Sequence, residues 1–253
     1  MIRAFALGGV LASLVAGSSG WQRAAPLPLA RSEVAAAAYG SGIVIVGGFD
    51  RRGSQLKTAY ALANGRWRRL PDLPAPRAAS GAAIVGTKLY VVGGFAGERL
   101  ARRLLVLDLR TRRWSTAPGP TPRDHLGVAA LAGRIYAVGG EKSEPGKEVD
   151  LVESWAPGER RWTKLPPISE PRGGVAVTAA GGALVAAGGT NLSRPFSTVQ
   201  RLTPGAAAWK SLPALRTARH SLGLVSVGPR LYAIGGGQYA LSVSAANEYL
   251  PLR

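Results

Sequence analysis

Pairs of adjacent glycines stand at Gly47 and Gly48, Gly93 and Gly94, Gly139 and Gly140, Gly188 and Gly189, and Gly235 and Gly236, spaced by 46, 46, 49 and 47 residues. A period of that size marks one supersecondary unit copied five times, each copy burying its apolar face against the next. Just before each pair lies a short apolar run, at residues 43–46, 89–92, 135–138, 184–187 and 231–234, rich in β-branched and aromatic side chains and too short for a helix. These runs predict strands. The 34 glycines and 18 prolines among 253 residues exclude a helical bundle, the absence of cysteine excludes a disulfide scaffold, and 46% apolar side chains exclude a disordered chain.

The rest of the unit keeps register with the glycines. An arginine precedes the first glycine of each pair by 16 residues (Arg31, Arg77, Arg123, Arg172, Arg219), and a tryptophan precedes each arginine by nine or ten (Trp21, Trp67, Trp114, Trp162, Trp209). The arginine-to-glycine distance is constant, whereas the distance from a glycine pair to the next tryptophan runs from 20 to 23 residues. Length variation therefore belongs to the loop after the glycines, where added residues cost little closure entropy.

This order resembles the kelch repeat: Pro-Arg, an apolar strand, Tyr-x-x-Gly-Gly, a loop, a third strand, and a fourth strand carrying the tryptophan. Tyr90, Tyr136 and Tyr232 stand three before the glycines, Val44 and Val185 replace them in two units, and Pro76, Pro122 and Pro171 precede the arginine in the middle three. Seven residues before each tryptophan, at the third-strand position, stand Tyr60, Leu107, Trp155 and Leu202, which makes Trp155 a core filler in register. A WD-type repeat is shorter and has its own His and Trp-Asp signatures, which this chain does not carry. The resemblance spans residues 21–253 and implies an all-β, five-bladed β-propeller of four-stranded antiparallel blades, with units at 31–70, 77–117, 123–165, 172–212 and 219–253. The repeated arginines are expected to bond to neighbouring blades, and the glycine pairs to serve backbone conformation or close packing.

The last unit reaches its third strand near Glu248 and Tyr249 without a tryptophan strand to follow, while Trp21 has no unit before it. An N-terminal strand at residues 21–30 is expected to complete the fifth blade and close the ring, pairing edges that would otherwise stay open. Ahead of it, Arg3 precedes an apolar stretch at residues 5–16, followed by Gly17, Ser18, Ser19 and Gly20, the pattern of a secretory signal cleaved near Gly17 or Ser18. The stretch is too short to span a bilayer comfortably. The expectation is a signal peptide at 1–20 and an exported, periplasmic or extracellular monomer without a transmembrane segment once the signal is removed.

Thirty-two Lys and Arg against 14 Asp and Glu give a formal charge of +18, which draws polyanions or acidic surfaces through a field that weakens as salt rises. In the implied blade, the turns between strands one and two and between strands three and four share a face. There Arg66, Lys88, Arg110, Arg112, Arg113, Arg134, Arg160, Arg161 and Arg230 gather, with Glu159 and Asp108 the nearby acids. That face is the candidate electrostatic footprint. No stacking aromatics accompany it, so sequence-specific reading of a nucleic acid is not expected. The expected partner is an anionic polymer, an acidic glycan or an acidic protein surface.

The opposite face holds the mouth of the central channel, where the residues one and two past each repeat arginine converge: Ser32 and Glu33, Ala78 and Ala79, Asp124 and His125, Gly173 and Gly174, His220 and Ser221. Both histidines of the chain fall in this ring. Ser32, Glu33, Asp124, His125, His220 and Ser221 are the candidate ligand-binding residues, and His125, His220, Glu33 and Asp124 the candidate catalytic ones. Imidazoles beside carboxylates can bind a divalent ion such as Zn²⁺ or supply an acid/base pair to a sugar. Without a closely spaced metal motif, no metal or cofactor is expected. Kelch domains that bind acidic peptides can carry a basic residue two past the arginine; Glu33, Ala79, His125, Gly174 and Ser221 depart from that pattern.

Radical-copper oxidation of the galactose-oxidase kind needs a Tyr-Cys cofactor, which a chain without cysteine cannot make. No Gly-x-Ser-x-Gly elbow, phosphate-cradling Gly-x-x-x-x-Gly-Lys-Ser/Thr loop or His-Glu-x-x-His motif occurs, so hydrolase, nucleotide and zinc-protease chemistry lack support. A sugar epimerase or mutarotase similar to the exported sialate-processing kelch proteins needs only a placed proton donor and acceptor, and is the enzymatic alternative. The first expectation is a non-enzymatic binding propeller for an anionic carbohydrate, polymer or protein ligand.

Overall fold

The computed structural model describes residues 26–142, 146–227, 229–239 and 246–252, which contain no helix and fold as a five-bladed propeller of antiparallel sheets. Blade one comprises Ala35–Tyr39, Gly42–Val46, Ala59–Ala63 and Arg66–Arg69; blade two comprises Gly81–Val85, Lys88–Val92, Arg103–Asp108 and Arg113–Pro118. Blade three comprises Gly127–Leu131, Arg134–Val138, Val152–Trp155 and Thr163–Leu165; blade four comprises Ala176–Ala180, Ala183–Ala187, Val199–Leu202 and Lys210–Leu212. Blade five comprises Gly223–Val227, Arg230–Ile234 and Asn247–Pro251. Strands pair in chain order, so each blade is a meander. The first strands of successive blades are neighbours around the channel. Small residues allow that approach: a Cβ on Gly81 would lie 2.3 Å from Val128 Cγ2.

The core sits between blades. Tyr90, Val92 and Leu104 of blade two pack with Leu126, Ile135 and Trp155 of blade three. Trp155 is buried, lies edge-on to Tyr90 with centroids 5.9 Å apart and stacks on Trp162 at 6.0 Å, filling the core as expected. Such aromatic pairs add about 0.5–1.5 kcal/mol beyond the area they bury. On the outer strands the repeat tryptophans staple blade to blade: Nε1 of Trp114, Trp162 and Trp209 donates to the carbonyls of Pro71, Pro118 and Pro166.

The glycine pair and the arginine work as one joint. Gly94 N donates to Arg123 O of the next blade at 2.9 Å, and Gly48, Gly140 and Gly189 do the same to Arg77, Arg172 and Arg219. Gly93 (φ 65°) and Gly94 (φ 78°) are left-handed, and a Cβ would meet Arg123 O at 2.7 Å and Ala78 O at 2.4 Å respectively. Only glycine fits there. The arginine side chains, expected to reach neighbouring blades, turn back into their own. Arg123 donates to the carbonyls of Gly139 and Ala137 and to the Glu153 carboxylate; Arg219 donates to Ala233 O and Glu248. Between blades it is the arginine carbonyl that bonds, because the side chain is needed to close the end of its own second strand.

One alignment shifts. Trp67 pairs with Leu62 rather than standing over Tyr60, because Asn64 (φ 50°) and Gly65 (φ 71°) make a two-residue turn that shortens this outer hairpin. Tyr60 instead aligns with Leu105, Glu153, Gln200 and Glu248, each paired with the residue two before a glycine pair. Blade five has three strands among the described residues. Of the segment expected to complete it, residues 26–30 form no strand, since Pro26 and Pro28 have no N–H to give a ladder. Trp21 and the expected signal peptide lie outside the described residues. No helix among the described residues is long and apolar enough to cross a membrane.

Candidate functional site at the channel mouth

The two residues after each arginine do different jobs. The first bridges to the residue following its own glycine pair: Ser32 to Phe49, Ala78 to Phe95, Asp124 to Glu141, Gly173 to Thr190 and His220 to Gly237. The second turns left-handed, with φ of 49° at Glu33, 50° at Ala79, 49° at His125, 59° at Gly174 and 53° at Ser221. That turn carries the backbone across to the next blade. Ala79 N donates to Glu33 O at 3.3 Å, His125 N to Ala79 O at 2.9 Å, Gly174 N to His125 O at 2.8 Å and Ser221 N to Gly174 O at 2.8 Å. Left-handed non-glycine residues are strained, and this belt of hydrogen bonds holds them there.

The turn also sorts the side chains. Glu33, His125 and Ser221 line a cavity of about 350 Å³ at the mouth, together with Val34, Ser80, Leu126 and Leu222. Ser32, Asp124 and His220 do not line it. His220 instead lines a second cavity of about 350 Å³ with Glu141, Glu148, Asn191, Gln238 and Tyr239; its Nδ1 lies 3.1 Å from Ser221 Oγ and its Nε2 3.3 Å from Tyr239 O. The two histidines expected in one ring therefore face separate spaces, because they occupy different positions after their arginines.

His125 is the chemical centre of the mouth. Its Nδ1 lies 2.5 Å from Oδ1 of the buried Asp124, and its Nε2 lies 3.4 Å from Glu33 Oε2. Burial works against the charged ring, but the hydrogen bonds to Asp124 and Glu33 outweigh it and push the imidazole up to about 10. At neutral pH it is an imidazolium with two donors and can give a proton to a ligand atom. Burial also pushes the Glu141 carboxyl up; His125 opposes this, while Asp124, Glu148 and Glu33 add to it. Asp124, His125 and Glu141 offer three ligand atoms within 4.8 Å of one another, the set able to hold a divalent ion once the imidazole is deprotonated. Sequence reasoning passed over Glu141. Its signal is its place directly after a glycine pair, the position that bridges to the residue after the arginine.

On the opposite face, Arg66, Lys88, Arg110, Arg112, Arg113, Arg160, Arg161 and Arg230 are exposed, and Arg134 is half-buried. Arg134 pairs with Glu159 at 2.7 Å. Asp108 is engaged by its own turn, accepting from the N–H groups of Arg110 and Thr111.

An all-β ring of repeated antiparallel blades around a lined mouth is the architecture of a β-propeller. The chain matches the family model of the KLHDC2/KLHL20/DRC7 Kelch-repeats domain over residues 33–236 and belongs to the kelch-repeat family. No curated protein matches it. Among solved structures, the one described as "Structure of YjhT" has a TM-score of 0.76 and 16% identity, over 88% of this chain and 82% of that one. At that identity the likeness is one of fold.

Proposed function

We propose that this protein is an exported, non-enzymatic binding propeller whose basic face takes an anionic ligand: a polymer, an acidic glycan or an acidic protein surface. The observation that supports this is the state of nine basic side chains on one face. Eight are exposed, and of these nine only Arg134 is ion-paired with a carboxylate among the described residues. Uncompensated cations gathered on one side raise the local potential and draw polyanions. Export rests on residues 1–20, and N-terminal sequencing of protein recovered from outside the cytoplasm, beginning near Ser18, tests it.

Binding of a sulfated polysaccharide at low and high salt tests the ligand class. Affinity falls with salt, and the joint change of Arg110, Arg112 and Arg113 to Glu weakens it by about 1 kcal/mol or more per residue. Binding indifferent to salt overturns the reading.

A second reading, a carbohydrate-active isomerase, is favoured by the Asp124–His125–Glu33 line beside a cavity. His125 would donate a proton and Glu33 accept one. Sugar turnover that survives in both His125→Gln and Glu33→Gln removes it, and His220→Ala tests the neighbouring cavity separately.

A further inference from the structure

The bridges behind the repeat arginines differ in chemistry from blade to blade. They run from Ser32 through Phe49 to Gln55 in blade one and from Gly173 through Thr190 to Pro195 in blade four, but from Asp124 through Glu141 to Glu148 in blade three. The same backbone is built without acids, so the fold does not require them. His125 follows Asp124 and turns back onto it, and one ligand atom each of Asp124, His125 and Glu141 fall within 4.8 Å of one another. No motif announces the set, because Glu141 stands 16 residues after His125 and reaches it only through the bridge.

Two observations point to a cation between these groups. Asp124 is 2% exposed; its Oδ1 meets His125, whereas its Oδ2 is closed to solvent and has no hydrogen-bond partner among the described residues. A buried carboxylate oxygen without a donor carries a desolvation cost that a cation would offset. Arg123, next to Asp124 in the chain, gives its bonds to Glu153 and to main-chain carbonyls, and among the described residues no lysine or arginine pairs with Asp124 or Glu141. The second observation is the room made for the Glu141 carboxylate. The position of Gly173 carries a side chain in the other four blades, as Ser32, Ala78, Asp124 and His220, and Gly173 has no positive φ to demand a glycine. A Cβ there would overlap Oε1 and Cδ of Glu141. Solvent reaches the set from two sides, since His125 lines the mouth cavity and Glu141 the neighbouring one.

We propose that Asp124, His125 and Glu141 bind one divalent cation of the zinc class, with a fourth position left open to an oxygen of an incoming ligand. An imidazole with two carboxylates is a donor set for Zn²⁺, whereas Mg²⁺ and Ca²⁺ favour oxygen alone. The imidazole gives up its proton to offer a lone pair, so one proton leaves as one cation arrives. This site does not rest on the basic-face reading, and when loaded it removes the proton that the isomerase reading assigns to His125.

Calorimetric titration of the chelator-stripped full chain with zinc chloride, and with magnesium chloride for comparison, tests the proposal. One Zn²⁺ binds per chain, and Mg²⁺ binds at least about tenfold more weakly. Asp124→Asn and Glu141→Gln each weaken Zn²⁺ by about tenfold or more, and Gly173→Ala, whose methyl group blade two already carries at Ala78, weakens it severalfold by pushing the Glu141 carboxylate aside. Glu141→Gln and Gly173→Ala keep the test intact if Asp124→Asn fails to fold. No Zn²⁺ binding, Mg²⁺ bound as tightly as Zn²⁺, or unchanged Zn²⁺ affinity in Glu141→Gln and Gly173→Ala overturns the proposal.

Discussion

In blade three the repeat arginine, Arg123, is fully buried and gives one nitrogen to Glu153 at 2.5 Å besides bonds to the carbonyls of Thr121, Gly139 and Ala137. In blade two Arg77, 5% exposed, finds Leu105 at the position of Glu153; its recorded bonds are to the carbonyls of Pro76 and Arg103, and its Nε has no partner among the described residues. Burial holds both guanidinium groups below the usual arginine range, and only around Arg123 does a carboxylate push back. The same backbone is built either way. The structural duty of this arginine is to carbonyl oxygens, and the carboxylate is an addition that must compensate its own desolvation. The mouth repeats the contrast, with a charged His125 in blade three where blade two has Ala79.

The largest expected effect breaks the comparison from the side of blade three. Glu153→Leu gives it the residue of blade two and strands a buried guanidinium, costing about 3–5 kcal/mol in urea unfolding. A loss below about 1 kcal/mol would mean that the carbonyls suffice there too. Blade five offers a milder version: Glu248 also pairs with its arginine but is 21% exposed on its side chain, so Glu248→Leu costs about 2–3 kcal/mol in the same assay.

The pH dependence sharpens the contrast at the mouth. Folding raises His125 from 6.5 to about 10, so its stabilisation is complete below pH 6.5 and is lost as pH rises through 10. With a side chain 30% exposed, the loss is on the order of 2 kcal/mol, and His125→Ala, the residue of blade two, flattens that part of a stability profile measured from pH 6 to 10.5. The smallest effect comes from installing the missing acid. Leu105→Glu changes stability by about 1 kcal/mol or less, because burying the carboxylate offsets most of its attraction to Arg77. A gain of about 3 kcal/mol would show that blade two is a weakened copy of blade three.

The blades were legible because their signals are backbone obligations repeated in every unit. The joint of Gly94 N to Arg123 O recurs in other blades and tolerates no side chain on the glycine, so the pattern survives in the sequence. The target of the arginine side chain was not legible. A spacing of 16 residues fits a bond to the same blade as well as to its neighbour, and only the folded hairpin decides. Asn64-Gly65 is a strong hairpin signal, but a register counted from tryptophans hid the two residues it removes. The separation of His125 from His220 depends on a left-handed turn at a non-glycine residue, which residue type does not announce.

A belt of four main-chain bonds from Glu33 to Ser221 holds the mouth together, and that leaves its side chains free to vary within a restricted alphabet. Each letter must tolerate a left-handed backbone, which Gly, Asn, Asp and His adopt most readily and the β-branched Val, Ile and Thr least. This chain spells Glu, Ala, His, Gly and Ser around the opening. Rewriting one letter changes the charge that a visitor meets without changing the aperture through which it arrives.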